Sequence, residues 1–322
     1  MPSTRLGLSA FFCLLAAGSA PALETDLQLG QSSFKFLKSP LSPRATALGG
    51  AGVALATGVG ESELNPAAPA RAGAALVLGQ EYPPQQFGTT GSHVSWSLPW
   101  GAQRIVLHTR YLGFEKIPGF DEDNNATTAY GAYTLKLQGG LAGTALGFAW
   151  GAGLAFAQNN VAEATYGAAL VNAGVQRELF SGLSAGASVM NADIWSGSNK
   201  VDGEDVSAPL TLQGGLAYTR PVNTGRSLAH VLGTRVLLSA AADARKVNDE
   251  DLVFPVGVEA GIGEGLVKDG MLYLRAGYPV ADPDNGLSLG LGLRWSRFGF
   301  AYAYKGHSTL SGGHGWTLEI RD

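Results

Sequence analysis

Ten residues constrain the fold of this chain more than any others. In Gly286–Trp295, "GLSLGLGLRW", Leu287, Leu289, Leu291, Leu293 and Trp295 take one parity and Ser288, Gly290, Gly292 and Arg294 the other. A period of two is the signature of a β-strand with two different faces. A soluble sandwich would bury the leucines in a protein core. A membrane barrel would turn them to lipid and keep the small and polar residues for the lumen.

The pattern recurs. From Ala74 to Asp322 the sequence divides into fourteen alternating segments separated by turns, most of them near the 9–11 residues that cross a bilayer at a tilt. The fourth is read as Thr127–Gln138. Val236, Leu238, Ala240 and Ala242 oppose Arg235, Ser239, Asp243 and Arg245, while Phe298, Phe300, Tyr302 and Tyr304 oppose Gly299, Ala301, Ala303 and Lys305. Tyr218, Tyr278, Trp295 and Trp316 fall toward segment ends, where interfacial aromatic girdles sit. The connections sort by length. "GFEKIPGFDEDNNATT", "IWSGSNKVDGEDVSAP", "VADPDNG" and "KGHSTLSGG" belong to one rim, and the tight "LPWGA", "ELFSG" and "SRFG" to the other. Only "RPVNTGRSLAHVLG" is long on the short side. Long loops on one rim and short turns on the other mark an outer-membrane barrel.

The N-terminus agrees. Arg5 precedes the apolar run Leu6–Gly18 and a small-residue site ending at Ala22, which predicts a secretory signal peptide over residues 1–22. Cys13, the only cysteine, lies inside that run, so a chain cleaved there has no disulfide and no thiolate chemistry. No later apolar stretch reaches the ~18 residues of a transmembrane helix. Glycine is 46 of 322 residues, about twice its usual ~7% share, and charged residues are 15% against a usual ~25%. The net charge of −4, without a basic stripe, speaks against a nucleic-acid partner.

Between the signal and the first strand, residues 23–73 read differently. "FKFLKSPLSPRATALGGAGVALATGVGESELNPAAPARAG" is rich in proline and glycine and makes a poor barrel strand. Its expected place is inside the lumen, as a plug. There Asn65 and Pro66 form a tight turn and Arg44 pairs with an inward acid such as Asp243 or Glu319, since an unpaired buried charge is costly. The inward charges predicted on the wall are Arg235, Asp243, Arg275, Arg294 and Lys305.

The same segment carries a family resemblance. Arg44, then Ala47-Leu48-Gly49-Gly50-Ala51, then Asn65-Pro66-Ala67 resembles the N-terminal signature of the PorV/PorQ family of outer-membrane barrels, relatives of the FadL transporters. The resemblance implies a fourteen-stranded barrel with an N-terminal hatch, a place in the bacterial outer membrane, and secretion-system proteins or secreted cargo of type IX secretion as partners. The chain departs from such barrels in ending on Asp322 instead of an aromatic residue.

Catalytic and cofactor signals are missing. His93, His108, His230, His307 and His314 form no His-x-x-x-His or His-Glu-x-x-His pair, and "LGGAG" lacks the Lys-Ser/Thr end of a phosphate loop. The chain is read as a non-enzyme without cofactor or metal. The acidic loops at Asp121–Asn125, Asp202–Asp205 and Asp282–Gly286 supply hard oxygen ligands, but these are also ordinary turn residues. The preferred reading is a barrel that binds protein partners. The alternative is a FadL-like transporter or channel for a hydrophobic or small solute. An apolar lumen would favour the alternative, and the inward glycines, serines and charges favour the first.

Overall fold

The computed structural model describes residues 32–84, 88–121, 123–162, 164–195, 200–201, 204–205, 207–222, 235–263 and 269–322. The expected signal peptide lies outside these, as do Asp202 and Gly203 of the Asp202–Asp205 loop and residues 223–234 of the long connection after Arg220.

The strands, in chain order, are β1 (Ala75–Tyr82), β2 (Thr90–Trp100), β3 (Gln103–Gly113), β4 (Ile117–Phe120), β5 (Ala126–Tyr130), β6 (Ala132–Ala145), β7 (Phe148–Val161), β8 (Ala164–Phe180), β9 (Leu183–Trp195), β10 (Lys200–Val201), β11 (Glu204–Asp205), β12 (Thr211–Val222), β13 (Arg235–Val247), β14 (Phe254–Gly263), β15 (Gly270–Val280), β16 (Asn285–Trp295), β17 (Phe298–His307) and β18 (Gly313–Arg321). Fourteen of them close into one antiparallel barrel, with β18 pairing back onto β1. The pairs β4–β5 and β10–β11 are small separate hairpins inside two of the long loops. The fourth barrel strand therefore differs from its predicted bounds. Ala126–Tyr130 belongs to a loop hairpin, and the strand runs on through "GGLAGTA" to Ala145, where small residues hide the alternation.

The two faces of β16 answer the opening question. Leu287, Leu289, Leu291 and Leu293 stand 40–54% exposed on the outside, while Ser288 is 1% exposed on the inside. Leu238, Leu274, Phe300, Tyr302 and Leu318 continue the apolar belt around the barrel. Only a closed sheet leaves no unpaired edge in hydrocarbon, so the closed order and the belt belong together.

Two-residue turns join β2–β3, β6–β7, β8–β9 and β16–β17 at one rim. Leu146 and Gly147 both have positive φ (52° and 78°), the primed geometry that matches strand twist. The loops carrying β4–β5 and β10–β11 lie at the other rim. Of the connections there, that between β7 and β8 is also short. By the usual asymmetry the short-turn rim faces the periplasm.

Candidate functional site

The lumen holds residues 32–73. Ser42 caps a short helix, α1 (Pro43–Ala47), accepting from the Ala45 N–H, with Pro43 at its first turn. The helix ends in Leu48-Gly49-Gly50, where the Gly50 N–H returns to the Ala45 carbonyl at 2.8 Å. Gly49 sits at φ +71° against the backbone of Tyr278, a place where no side chain fits. A turn follows at Asn65–Ala68, closed by the Ala68 N–H on the Asn65 carbonyl at 2.9 Å. A 3-10 turn, Ala68–Arg71, then leads into β1.

Wall glycines receive this segment. A Cβ on Gly257 would lie 2.7 Å from the Leu48 carbonyl oxygen, and one on Gly186 2.5 Å from the Val53 carbonyl oxygen. Gly277 and Gly290 face Leu48 and Ala47, and Gly174 and Gly151 face Asn65 and Pro66, more closely still. These inward glycines are thus the wall's half of a close fit to the segment, backbone to backbone at Gly151, Gly186, Gly257 and Gly277.

Polar bonds fix the segment on several sides. At the long-loop rim the Ser32 N–H and Lys38 Nζ reach Asp249 at 2.9 and 2.8 Å, and Arg110 donates to the Phe36 carbonyl at 2.6 Å. Phe34, 1% exposed, packs there on Ala157, Ala168 and Leu170. Midway, Asp243 accepts from the Gly52 and Val53 N–H groups at 2.8 and 2.9 Å and from Gln213 at 2.7 Å. Asn65 Nδ2 donates to the carbonyls of Val53 and Val175, and Gln176 to those of Val53 and Ala56. Glu63 pairs with Lys136. Burial alone would push the Glu63 carboxyl up, but Lys136, with His108 and Arg110, holds it well below the usual carboxylate range. Toward the short-turn rim Arg44 grips Glu259 through Nε and Nη2, both at 2.8 Å, and adds Glu61 at 3.0 Å and the Leu55 carbonyl at 3.1 Å.

Arg44 therefore does not take the partners predicted for it. Asp243 is occupied by Gly52, Val53 and Gln213, and Glu319 by Arg321 at 2.5 Å. Glu259 remains, shared with Arg275 Nε at 2.6 Å. Ser32 is tied to the loop between β13 and β14 at the long-loop rim, so the segment threads the barrel from one mouth to the other.

The remaining predicted positions are spread out. Leu48, Asn65 and Pro66 are buried in the segment. Lys305 lines a cleft beside Pro40 and Thr46. Arg275 and Arg294 line a cavity of about 510 Å³ below the segment, at the short-turn mouth. The Arg235 side chain is not among the described ones. Glu259, Glu63, Lys136, Arg110 and Asp249 were not anticipated. The signal for the strand residues among them was a charge at inward parity on an otherwise apolar or small-residue strand. Ser95, His108 and Glu63 also line up: the Ser95 hydroxyl is 2.6 Å from His108 Nδ1, and Glu63 is 3.4 Å from Nε2. At 1% exposure Ser95 is closed to any substrate in this arrangement.

In the loops, Asp121 accepts from the Asp123 and Asn125 N–H groups and Asp282 from those of Asp284 and Asn285. These carboxylates cap their own turns. Among the described residues no cluster of ligand side chains has the makings of a metal site.

No family model and no curated protein matches the chain. Solved structures do. The Pseudomonas putida toluene transporter TodX aligns over 87% of this chain and 96% of its own, at TM-score 0.55 and 11% identity. A TodX mutant lacking S2 and S3, described as a monoaromatic hydrocarbon channel, aligns over 87% and 99%, at 0.56 and 11%. CymD, another monoaromatic hydrocarbon channel, aligns over 87% and 96%, at 0.53 and 12%. The shared feature is the fold: the chain has the barrel architecture of these outer-membrane channels. With its closed sheet and apolar belt it is a bacterial outer-membrane protein.

Proposed function

We propose that this protein is a gated outer-membrane passage for a small solute, closed at rest by its own residues 32–73. The likeness in fold to channels and transporters supports passage over catalysis, and so does the enclosed Ser95. The observation that carries the gate is the thread of bonded groups from Asp249 at the long-loop mouth to Glu259 half-way along β14. A segment tied mainly through side-chain hydrogen bonds and ion pairs, and not through ladder bonds, detaches without opening the barrel. The lumen beneath it is polar, which argues for a hydrophilic solute in place of the hydrocarbons that the matched channels are named for.

The test is conductance in planar bilayers. The intact protein should conduct little, and deletion of residues 32–73 should open a large, stable conductance. A full porin-like conductance from the intact protein rejects the gate. A closed intact barrel that passes no solute in vesicle uptake, yet co-purifies with secretion proteins through its loops, would move the reading to the partner-binding role of PorV/PorQ barrels.

A further inference from the structure

The cavity at the short-turn mouth is lined by five arginines and four glutamates. Most of these charges have partners. Arg44 uses its Nε and both terminal nitrogens on Glu259, Glu61 and the Leu55 carbonyl. Arg321 pairs with Glu319. Arg275 and Arg294 are different. Arg275 is 8% exposed, and its hydrogen bond among the described residues is from Nε to Glu259; Nη1 is buried with no acceptor among them. Arg294, one strand over, pairs with no described carboxylate, and its one hydrogen bond among the described residues is to the Met271 sulfur at 3.6 Å.

Gly292 brings the two together. On β16 it lies opposite Tyr273, between Gly290, which faces Arg275, and Arg294, which faces Met271. A Cβ on Gly292 would come within 2.5 Å of Arg275 Nη1, so the guanidinium lies over the glycine and leans toward Arg294. Both guanidinium groups flank the Tyr273 ring, at 5.0 and 5.8 Å from its centre. A nearly buried guanidinium with unmet N–H groups pays for them unless an acceptor arrives. The planar N–H fork matches two oxygens of a carboxylate or phosphate.

We propose that Arg275 and Arg294, seated around Gly292, form a binding site for a small oxyanion, phosphate or a short carboxylate, at the periplasmic mouth of the barrel. As a statement about the solute that passes, this rests on the gated-passage reading. Binding itself is measured without conduction.

The experiment is calorimetric titration of the full mature protein in detergent at low salt, with inorganic phosphate in one series and succinate in another. Saturable binding of at least one anion is expected, and the two series show which oxyanion is preferred. Arg294→Gln sits at an exposed position and leaves the fold intact. It should weaken binding at least about tenfold, the effect of losing one charged hydrogen bond of about 1.4 kcal/mol. Gly292→Ala, which pushes the Arg275 guanidinium aside, should do the same, and Arg220→Gln on the outer face of β12 should not. Absence of saturable binding by either anion overturns the site, as does unchanged affinity in Arg294→Gln. A barrel that binds but never conducts keeps the site and rejects the passage.

Discussion

At the residue scale, position relative to the wall decides what a substitution costs. Leu291→Arg places a charge on the lipid face and should cost about 2–4 kcal/mol near the midplane, read as a lower urea midpoint in lipid vesicles, whereas Leu291→Ala should be much milder. Equal costs would mean that the leucines do not face lipid. The inward neighbour Ser288 is 1% exposed, so arginine is excluded there for a different reason, lack of room. Arg44→Ala leaves Glu61 with the Thr57 N–H but no cation, and Glu259 with Arg275 alone. Breaking a buried pair in this way costs about 3–5 kcal/mol, more than the segment is expected to tolerate. The expected outcome is protease cleavage within residues 32–73 of a barrel that still runs as folded on unheated gels. Wild-type resistance in this variant would show that Arg44 is not the anchor.

At the element scale, the segment behaves as one unit held by several carboxylates, and acid is its natural probe. Glu63 and Asp249 are each offered a lysine, and burial, which alone would raise them, is outweighed, so both titrate below their ordinary values. A depressed carboxylate contributes stability that is present above the unfolded pKa, about 4 for both residue types, and is lost as pH falls through the folded value. The segment should therefore stay seated from pH 7 to about pH 5 and loosen only below the ordinary carboxylate range. Conductance recorded against pH checks this, and an opening already complete at pH 5 would contradict it. The parity of β13, β16 and β17 was legible in the sequence, because outward large side chains and inward small or polar residues alternate without regard to partners. The bounds of β6 were less so, since "GGLAGTA" has no large side chain to mark a face.

At the scale of the whole molecule, barrel closure joins β1 to β18 and leaves no free edge. The prediction here concerns location. The protein should fractionate with the outer membrane and migrate differently before and after boiling, as closed barrels resist detergent until heated. Recovery in the soluble periplasm with no heat shift would reject the fold as a membrane structure. The sorting of loops by rim was also visible beforehand. The short β7–β8 connection shows its limit: a loop's length follows what it carries as well as the rim it occupies.

By itself the sequence determined the period, the number of crossing strands, the two faces and the irregular character of residues 32–73, because each of these depends on residues close together in the chain. Which inward acid meets Arg44 was decided by the tertiary structure. Parity places Asp243, Glu259 and Glu319 on the same inner face, but it does not place them at a height or a bearing around the barrel. Those depend on strand tilt, on registers such as Glu259 opposite Arg275, and on the path of a segment 215 residues away in sequence from its partner. The same holds for Arg275 and Arg294. Alternation turns both inward, and only the pairing of β15 with β16 brings them around Gly292 with donors left to offer.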